Sequence, residues 1–288
     1  MNKNVWLLFA SNACAFSVAP VTVFLSGIIG SSITPIKSFS TLPMSLSIVG
    51  TALFIIAASK IMSITGRKKG FIISSIIFLI FYKENKFIDK KKISRGRTIL
   101  ALISQPRFLQ ALVSSSFAYA VMSFLMTATP ISMHIQDKMS LNSTSFVIQF
   151  HIISMFLPAL ITGNLIKKYG HSKIMYTGVL FFFITILLSF QNQTFINYLL
   201  ALVFLGLGWN FLFISGTSLL VLNYKEEERF KAQGFNDFIV FSVQATASLT
   251  AGVVLSYTSW KTMNMLCIPI LIVIIFTILR ADRSYKKI

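Results

Sequence analysis

The chain has 288 residues, 55% of them hydrophobic and only 12% charged, with a mean hydropathy of +0.76 and a formal charge of +18. A soluble domain carries about 25% charged residues, so this composition excludes a soluble enzyme or nucleic-acid-binding domain. Several apolar stretches reach the ~20 residues that a helix needs to cross ~30 Å of hydrocarbon, which predicts an all-α polytopic membrane protein with the lipid bilayer as its first partner.

Val5–Gly30 and Leu42–Ile64 are predicted as the first two spans. Ile72–Phe81 is apolar but covers only half a bilayer at ~1.5 Å per residue. Both its flanks are basic, so it is expected to return to its own side. Residues 82–107 form a basic loop with Lys83, Lys86, Lys90, Lys91, Lys92, Arg95, Arg97 and Arg107 against Glu84 and Asp89. Such a run can bind nucleic acid, but between apolar segments it reads as a cytoplasmic loop, and no nucleic-acid partner is expected. Six further spans follow: Phe108–Met133, Phe146–Ile166, Ile174–Phe190, Ile196–Leu222, Phe235–Ser256 and Met263–Leu279, then a basic tail. The sequence thus divides into 1–81 (two spans and a half-length segment), the loop 82–107, a six-helix bundle 108–279 and the tail 280–288. The total is eight full spans plus the half segment.

Starting inside and alternating, Lys37, Lys138 and Lys261 lie outside. All the rest of the 26 Lys and Arg fall inside, Lys60 at the inner end of its span. This matches the positive-inside rule in every loop and predicts both termini to be cytoplasmic. Cys14 and Cys267 are distant and apolar in setting, so neither a disulfide framework nor a metal site is expected. No HExxH, nucleophile elbow, P-loop or intramembrane carboxylate pair is present. Neither catalysis nor a cofactor is expected.

Two turns share a pattern of helix end, glycine and bases: Ser59 to Lys68 and Gly163 to Ser172, offset by 104. Repeated halves are a common construction in transporters. In the first turn Gly66, Arg67 and Lys68 match the signature of the major facilitator superfamily, with Ser59 and Ser63 standing for its first glycine and its acid. In the second Gly163, Leu165 and Gly170 match, and Lys167 replaces the acid. The stretches LMTATPISM, FVIQFHIISMFLPALITGNLIKKYG, LGLGWNFLFISGTSLL and AQGFNDFIVF resemble a bacterial branch of uncharacterised permeases in that superfamily. The resemblance implies twelve spans in two bundles of six. Here the second bundle is whole, while half of helix three and helices four to six of the first are missing between the second span and the basic loop.

Polar residues inside spans are costly and tend to face a cavity or another helix. Asn12, Tyr119, Gln149, Gln244, Trp209 and Asn210 are the cavity candidates. Trp209 beside Asn210 suggests a stacking ring with a hydrogen-bonding amide; the alternative is helix packing around Gly206 and Gly208. His151 is the candidate for carrying a proton, or else a packing residue. Asp237 is expected in the first turn of its helix, as a cap or as an inner gate pairing with Arg67 or Lys68. The fifth and eighth spans are poor in polar residues, and the resemblance implies that they are outer supports. The expected function is a secondary active transporter of a small organic solute, working by alternating access in a bacterial inner (plasma) membrane, with proton coupling as an option. The alternative is an internally deleted, non-transporting remnant or a structural membrane protein. A homodimer is left open.

Overall fold

The computed structural model describes residues 96–285. The first two spans, the half-length segment, the first glycine turn and the candidates Asn12, Arg67 and Lys68 lie outside the described residues. Within them all regular structure is helical. The helices are α1 (Ile99–Ile103), α2 (Pro106–Pro130), α3 (Leu141–Phe156), α4 (Ala159–Tyr169), α5 (His171–Leu188), α6 (Phe195–Val221), α7 (Arg229–Tyr257), α8 (Trp260–Leu266) and α9 (Ile268–Tyr285). Five helical runs are long and apolar enough to cross a membrane, or six when α3 and α4, bent by 41°, count as one.

Local chemistry sets the boundaries. Pro106 opens α2 at a position whose N–H has no helical partner anyway. Near the other end Pro130 removes a donor, and the helix widens into a π turn over Ile131–Gln136. Ser140, Thr194 and Ser259 cap α3, α6 and α8 with their hydroxyls. Pro158 cannot donate to the turn before it, and this breaks the predicted span 146–166 into α3 and α4. Gly170 alone joins α4 to α5, with φ 85° and ψ 157°, a conformation open to glycine and costly for other residues.

Three boundaries differ from the sequence expectation for one reason. At 29 residues α7 is about 43 Å long, against ~30 Å of hydrocarbon. Its first two turns, with Arg229 and Lys231, therefore stay helical beyond the apolar slab. Asp237 consequently lies in the third turn of α7, not the first, and cannot cap it. At its far end the chain stays helical to Tyr285, through the residues expected as a tail. Before α2, the last residues of the basic loop form α1, capped by Thr98.

Helix α6 is the axis of the bundle and touches α2, α3, α4 and α5, while α2 touches α6, α7 and α9. Glycines allow the close approaches. A Cβ on Gly206 would meet the His151 carbonyl at 2.6 Å, one on Gly208 the Gly178 carbonyl at 3.0 Å, and one on Gly216 the Ala111 carbonyl at 2.9 Å. Small residues at crossings let backbones pack where no hydrophobic force drives helices together in lipid. The outward faces of α5 (Leu180, Phe183, Leu187) and α9 (Ile272, Phe276) are exposed and apolar, as suits lipid contact. On their buried sides Thr185 donates to the Ala201 carbonyl at 3.1 Å and Thr277 to the Ile274 carbonyl at 2.8 Å.

Candidate functional site

Helices α2, α6 and α7 carry an aromatic cluster. The Tyr119 ring stands edge-on to Trp209 (5.1 Å, 88°) and to Phe213 (4.9 Å, 87°), and is tilted towards Phe241 at 6.2 Å. Trp209 stacks on Phe213 at 5.0 Å and meets the edge of Phe156. Tyr119, Phe213 and Phe241 are half-buried, whereas Trp209 is only 3% exposed. Trp209 thus backs the cluster and the other three rings face outward from it. Its indole Nε1 is buried without a hydrogen-bond partner, as is Oε1 of Gln244.

The α7 side of this cluster follows a helical stripe. Asp237, Phe241, Gln244 and Ser248 are spaced so that they share one face. That face meets α2 in parallel register: Ser115 Oγ lies 3.1 Å from Asn236 Oδ1, Tyr119 faces Phe241, Thr127 Oγ1 lies 3.4 Å from Ser248 Oγ, and Gln136 Nε2 donates to the Leu255 carbonyl at 3.4 Å. The run Pro106–Gln136 has 31 residues and its centre falls at Val121. A ~30 Å slab takes in roughly ten residues to each side. Asp237 is level with about Ser116, on the order of 8 Å from the centre and inside the apolar thickness. Asn236 Nδ2 donates to its carboxylate at 3.1 Å, and among the described residues it has no ion-pair partner.

Asn210, next to Trp209, does different work. Its Nδ2 donates to the Met155 carbonyl at 2.6 Å, and its Oδ1 lies 2.7 Å from Thr162 Oγ1. The break at Pro158 leaves polar backbone groups short of helical partners, and Asn210 ties both sides of that break to α6. Its amide is therefore committed to the bend and offers nothing to a cavity beside Trp209. His151 is fully buried, bonded through Nδ1 to the Leu202 carbonyl at 2.7 Å, with Nε2 unpartnered. Gln149, two residues earlier, is exposed on another face and bonds only to Ser145 in its own helix, at 3.2 Å, so it does not join the cluster. A separate hollow of about 370 Å³ lies between α2, α7 and the α8–α9 run, beside Phe124, Ser242, Thr246 and Ile270. Thr246 and Thr250 donate to carbonyls of their own helix there, which leaves the lining apolar.

Two polar assemblies at the basic end were not expected from sequence. Glu228, fully buried, accepts from Arg97 Nε (2.9 Å) and Nη2 (2.7 Å) and from the backbone N–H of Arg97 (2.6 Å) and Lys225 (2.9 Å). Lys231 Nζ donates to the Arg97 carbonyl. The hydrogen-bonded carboxylate holds the Arg97 guanidinium above its ordinary pKa. Gly96, at φ 47°, gives the room: a Cβ there would meet Glu228 Cγ at 2.5 Å. Nearby, Arg107 Nη1 donates to Asp282 and to Ser172 at 3.0 Å each, and Ser172 donates to Asp282 at 2.6 Å, joining α2, α5 and α9.

The described residues thus form a helical bundle of five apolar runs, or six with the bent pair counted as one, with a polar-aromatic face inside and apolar surfaces outside. The family model described as Major Facilitator Superfamily matches residues 111–288. The chain belongs to the major facilitator superfamily. It is 36% identical over 180 residues to the riboflavin transporter RfnT of Brucella anthropi, covering 62% of this chain and 45% of that protein. It is 32% identical over 148 residues to the uncharacterized MFS-type transporter YdeG of Bacillus subtilis (51% and 34% covered). A second Bacillus subtilis transporter, YddS, also uncharacterized, is 29% identical over 198 residues (66% and 42% covered). The chain spans less than half the length of these curated relatives. It is a multi-pass membrane protein of this superfamily, and the relatives are named as transporters.

Proposed function

We propose that the chain serves secondary active transport of a small organic solute, bound at the α2–α6–α7 face and exchanged between the two sides by alternating access. The observation that carries this reading is the cluster of Tyr119, Phe213 and Phe241: three half-buried rings at membrane depth, flanked by the intramembrane polar groups Asp237 and Gln244. Polar groups at that depth mark substrate and ion pathways, and ring faces favour a flat, conjugated solute. A riboflavin-type heterocycle is the first solute to try, because a relative carries that name. The setting proposed is a bacterial inner membrane with the basic end of the bundle in the cytoplasm, supported by the crowding of Arg and Lys there. In this arrangement 1–81 is an incomplete first bundle, 82–107 the cytoplasmic loop, 108–279 the complete second bundle and 280–288 the tail.

The test is riboflavin binding to the purified full chain in lipid nanodiscs. Tyr119→Ala and Phe213→Ala are each expected to weaken binding about tenfold, ~1.4 kcal/mol, of the size that aromatic contacts supply. Unchanged affinity in both variants would move the solute site elsewhere. The second reading, a non-transporting remnant, is supported by the internal gap in the family pattern between the second predicted span and the basic loop, where only Ile72–Phe81 stands. Uptake into vesicles by this chain, compared with one in which the missing helices of the first bundle are restored from a relative, separates the two. Equal saturable uptake rejects the remnant.

A further inference from the structure

We infer that the hollow between α2, α7 and the α8–α9 run holds one acyl chain of a phospholipid from the leaflet away from the basic end. It lies on a different face of α2 and α7 from the aromatic cluster. Ala120 and Ser242 line it, each about 100° round its helix from Tyr119 and Phe241. The site is therefore the same in a transporter and in a non-transporting remnant.

Small side chains and a helix break make the space. Ala120 on α2 and Ala247 on α7 border it. α8 ends at Leu266 and α9 begins at Ile268, because Pro269 has no N–H to give to the turn before it. Leu266 and Ile270, on either side of that break, form the third wall. The threonine hydroxyls that could wet the space are turned into their own helix. Thr246 donates to the Ser242 carbonyl at 2.9 Å, and Thr250 to the Thr246 and Ala247 carbonyls at 2.9 and 3.0 Å. The volume, about 370 Å³, lies in the range of ligand sites, roughly 300–1,000 Å³. Water settles in a cavity only where several polar partners meet it, and this lining is mostly apolar. An empty space would forfeit the dispersion contacts that hold helices together in lipid. Hydrocarbon satisfies both conditions.

Depth decides which hydrocarbon. The pairs Ser115–Asn236 and Thr127–Ser248 set α2 and α7 in parallel register, so Ser242 is level with Val121, the centre of the α2 run. From Ser242 to Thr250 the hollow climbs about 12 Å at ~1.5 Å per residue, most of the ~15 Å of hydrocarbon in one leaflet. Thr246, Thr250, Val253 and Tyr257 follow at spacings of four, three and four, so they share one face of α7, and all of them are exposed. This stripe leads out of the hollow to Tyr257, which is 83% exposed. It stands about 22 Å from the centre, at headgroup level, where tyrosines are enriched. Leu266, 49% exposed, opens the other rim. The groove thus has the depth, length and polarity profile of one lipid chain standing in one leaflet.

The test uses the full chain in nanodiscs of phosphatidylethanolamine and phosphatidylglycerol, with a small share of a phosphatidylcholine that carries a diazirine near the end of one acyl chain. After illumination, lipid adducts are mapped by mass spectrometry of the peptides. The exposed apolar face of α5 around Leu180 and Phe183, near the middle of that helix, is the internal reference for bulk lipid. Adducts at Phe124, Ser242 and Thr246 are expected to be several-fold denser than on that face. They are expected to fall to its level in Thr246→Phe, which fills the hollow, and to persist in Thr246→Val, which keeps its shape. The unaltered chain decides by itself, whether or not Thr246→Phe folds: adducts no denser than on α5 mean bulk lipid only and overturn the inference. So does cross-linking of residues 1–81 to a photoreactive side chain placed at Thr250 with no lipid adducts in the hollow, which would assign the groove to a helix of the first bundle.

Discussion

Trp209 and Asn210 are neighbours in sequence and point about 100° apart on α6. One closes the back of the aromatic cluster and the other repairs a broken helix. Asn210→Leu removes the partner of the Met155 carbonyl and of Thr162. It is expected to destabilise the protein by roughly 0.6–2 kcal/mol, read as a lower melting temperature in detergent, with solute affinity within twofold of the unaltered chain. A large loss of affinity at unchanged stability would instead make Asn210 a contact residue. The pair stood out in the sequence, since polar groups in an apolar run are conspicuous. Their division of labour was not, because it depends on a break 52 positions earlier, at Pro158, that brings an unpaired carbonyl against α6. Asp237 was read as an acid in the first turn of its span, and it lies in the third turn because the helix runs on through the charged residues that were taken to end it.

At the scale of elements, apolar length alone predicted the spans, and the runs, with the bent pair α3–α4 counted as one, fall within about five residues of where the sequence set them, apart from the longer start of α7 and the longer end of α9. Crossing geometry was less visible. Gly206, Gly208 and Gly163 look alike in sequence, yet a Cβ on Gly206 would collide with α3, while one on Gly163 would have nothing within 4 Å. Gly163→Ala is therefore expected to stabilise α4 by about 0.5–1 kcal/mol. Gly206→Ala is expected to destabilise the bundle by about 1–3 kcal/mol, as overpacking does. Thermal unfolding of the two variants side by side checks both signs; equal effects would mean that α3 and α6 do not pack this closely. The second glycine turn, noticed for its spacing, has its counterpart in the one-residue joint at Gly170.

At the scale of the molecule, the basic end is tied across long sequence distances. Arg97 and Glu228 are 131 positions apart. Nothing in the run Glu226-Glu227-Glu228 marks the third glutamate as the buried one, so this pair was not readable. Arg97→Ala leaves that carboxylate short of two charged donors and is expected to cost about 1.5–3 kcal/mol. Arg97→Lys recovers less than half, because an ammonium cannot reproduce the two-pronged contact. Faster backbone hydrogen exchange over α1 and the first turn of α7 reports the loosening; unchanged exchange would make the pair incidental. Orientation is tested at the same scale. Single cysteines replacing Lys138 and Lys261 are expected to react with a membrane-impermeant reagent from outside, and ones at Lys91 and Lys286 are not. Labelling at Lys91 from outside would invert the proposed topology.

The depth of Asp237 has an electrical meaning. At about 8 Å from the centre of ~30 Å of hydrocarbon, it stands roughly a quarter of the way in from the basic end. A unit charge held at that depth has about a quarter of the transmembrane voltage on one side of it and about three-quarters on the other. At about 2.3 kcal/mol per charge for each 100 mV, those drops are on the order of 0.6 and 1.7 kcal/mol. The position of one side chain along α7 thus fixes how strongly the membrane potential acts on a charge held there.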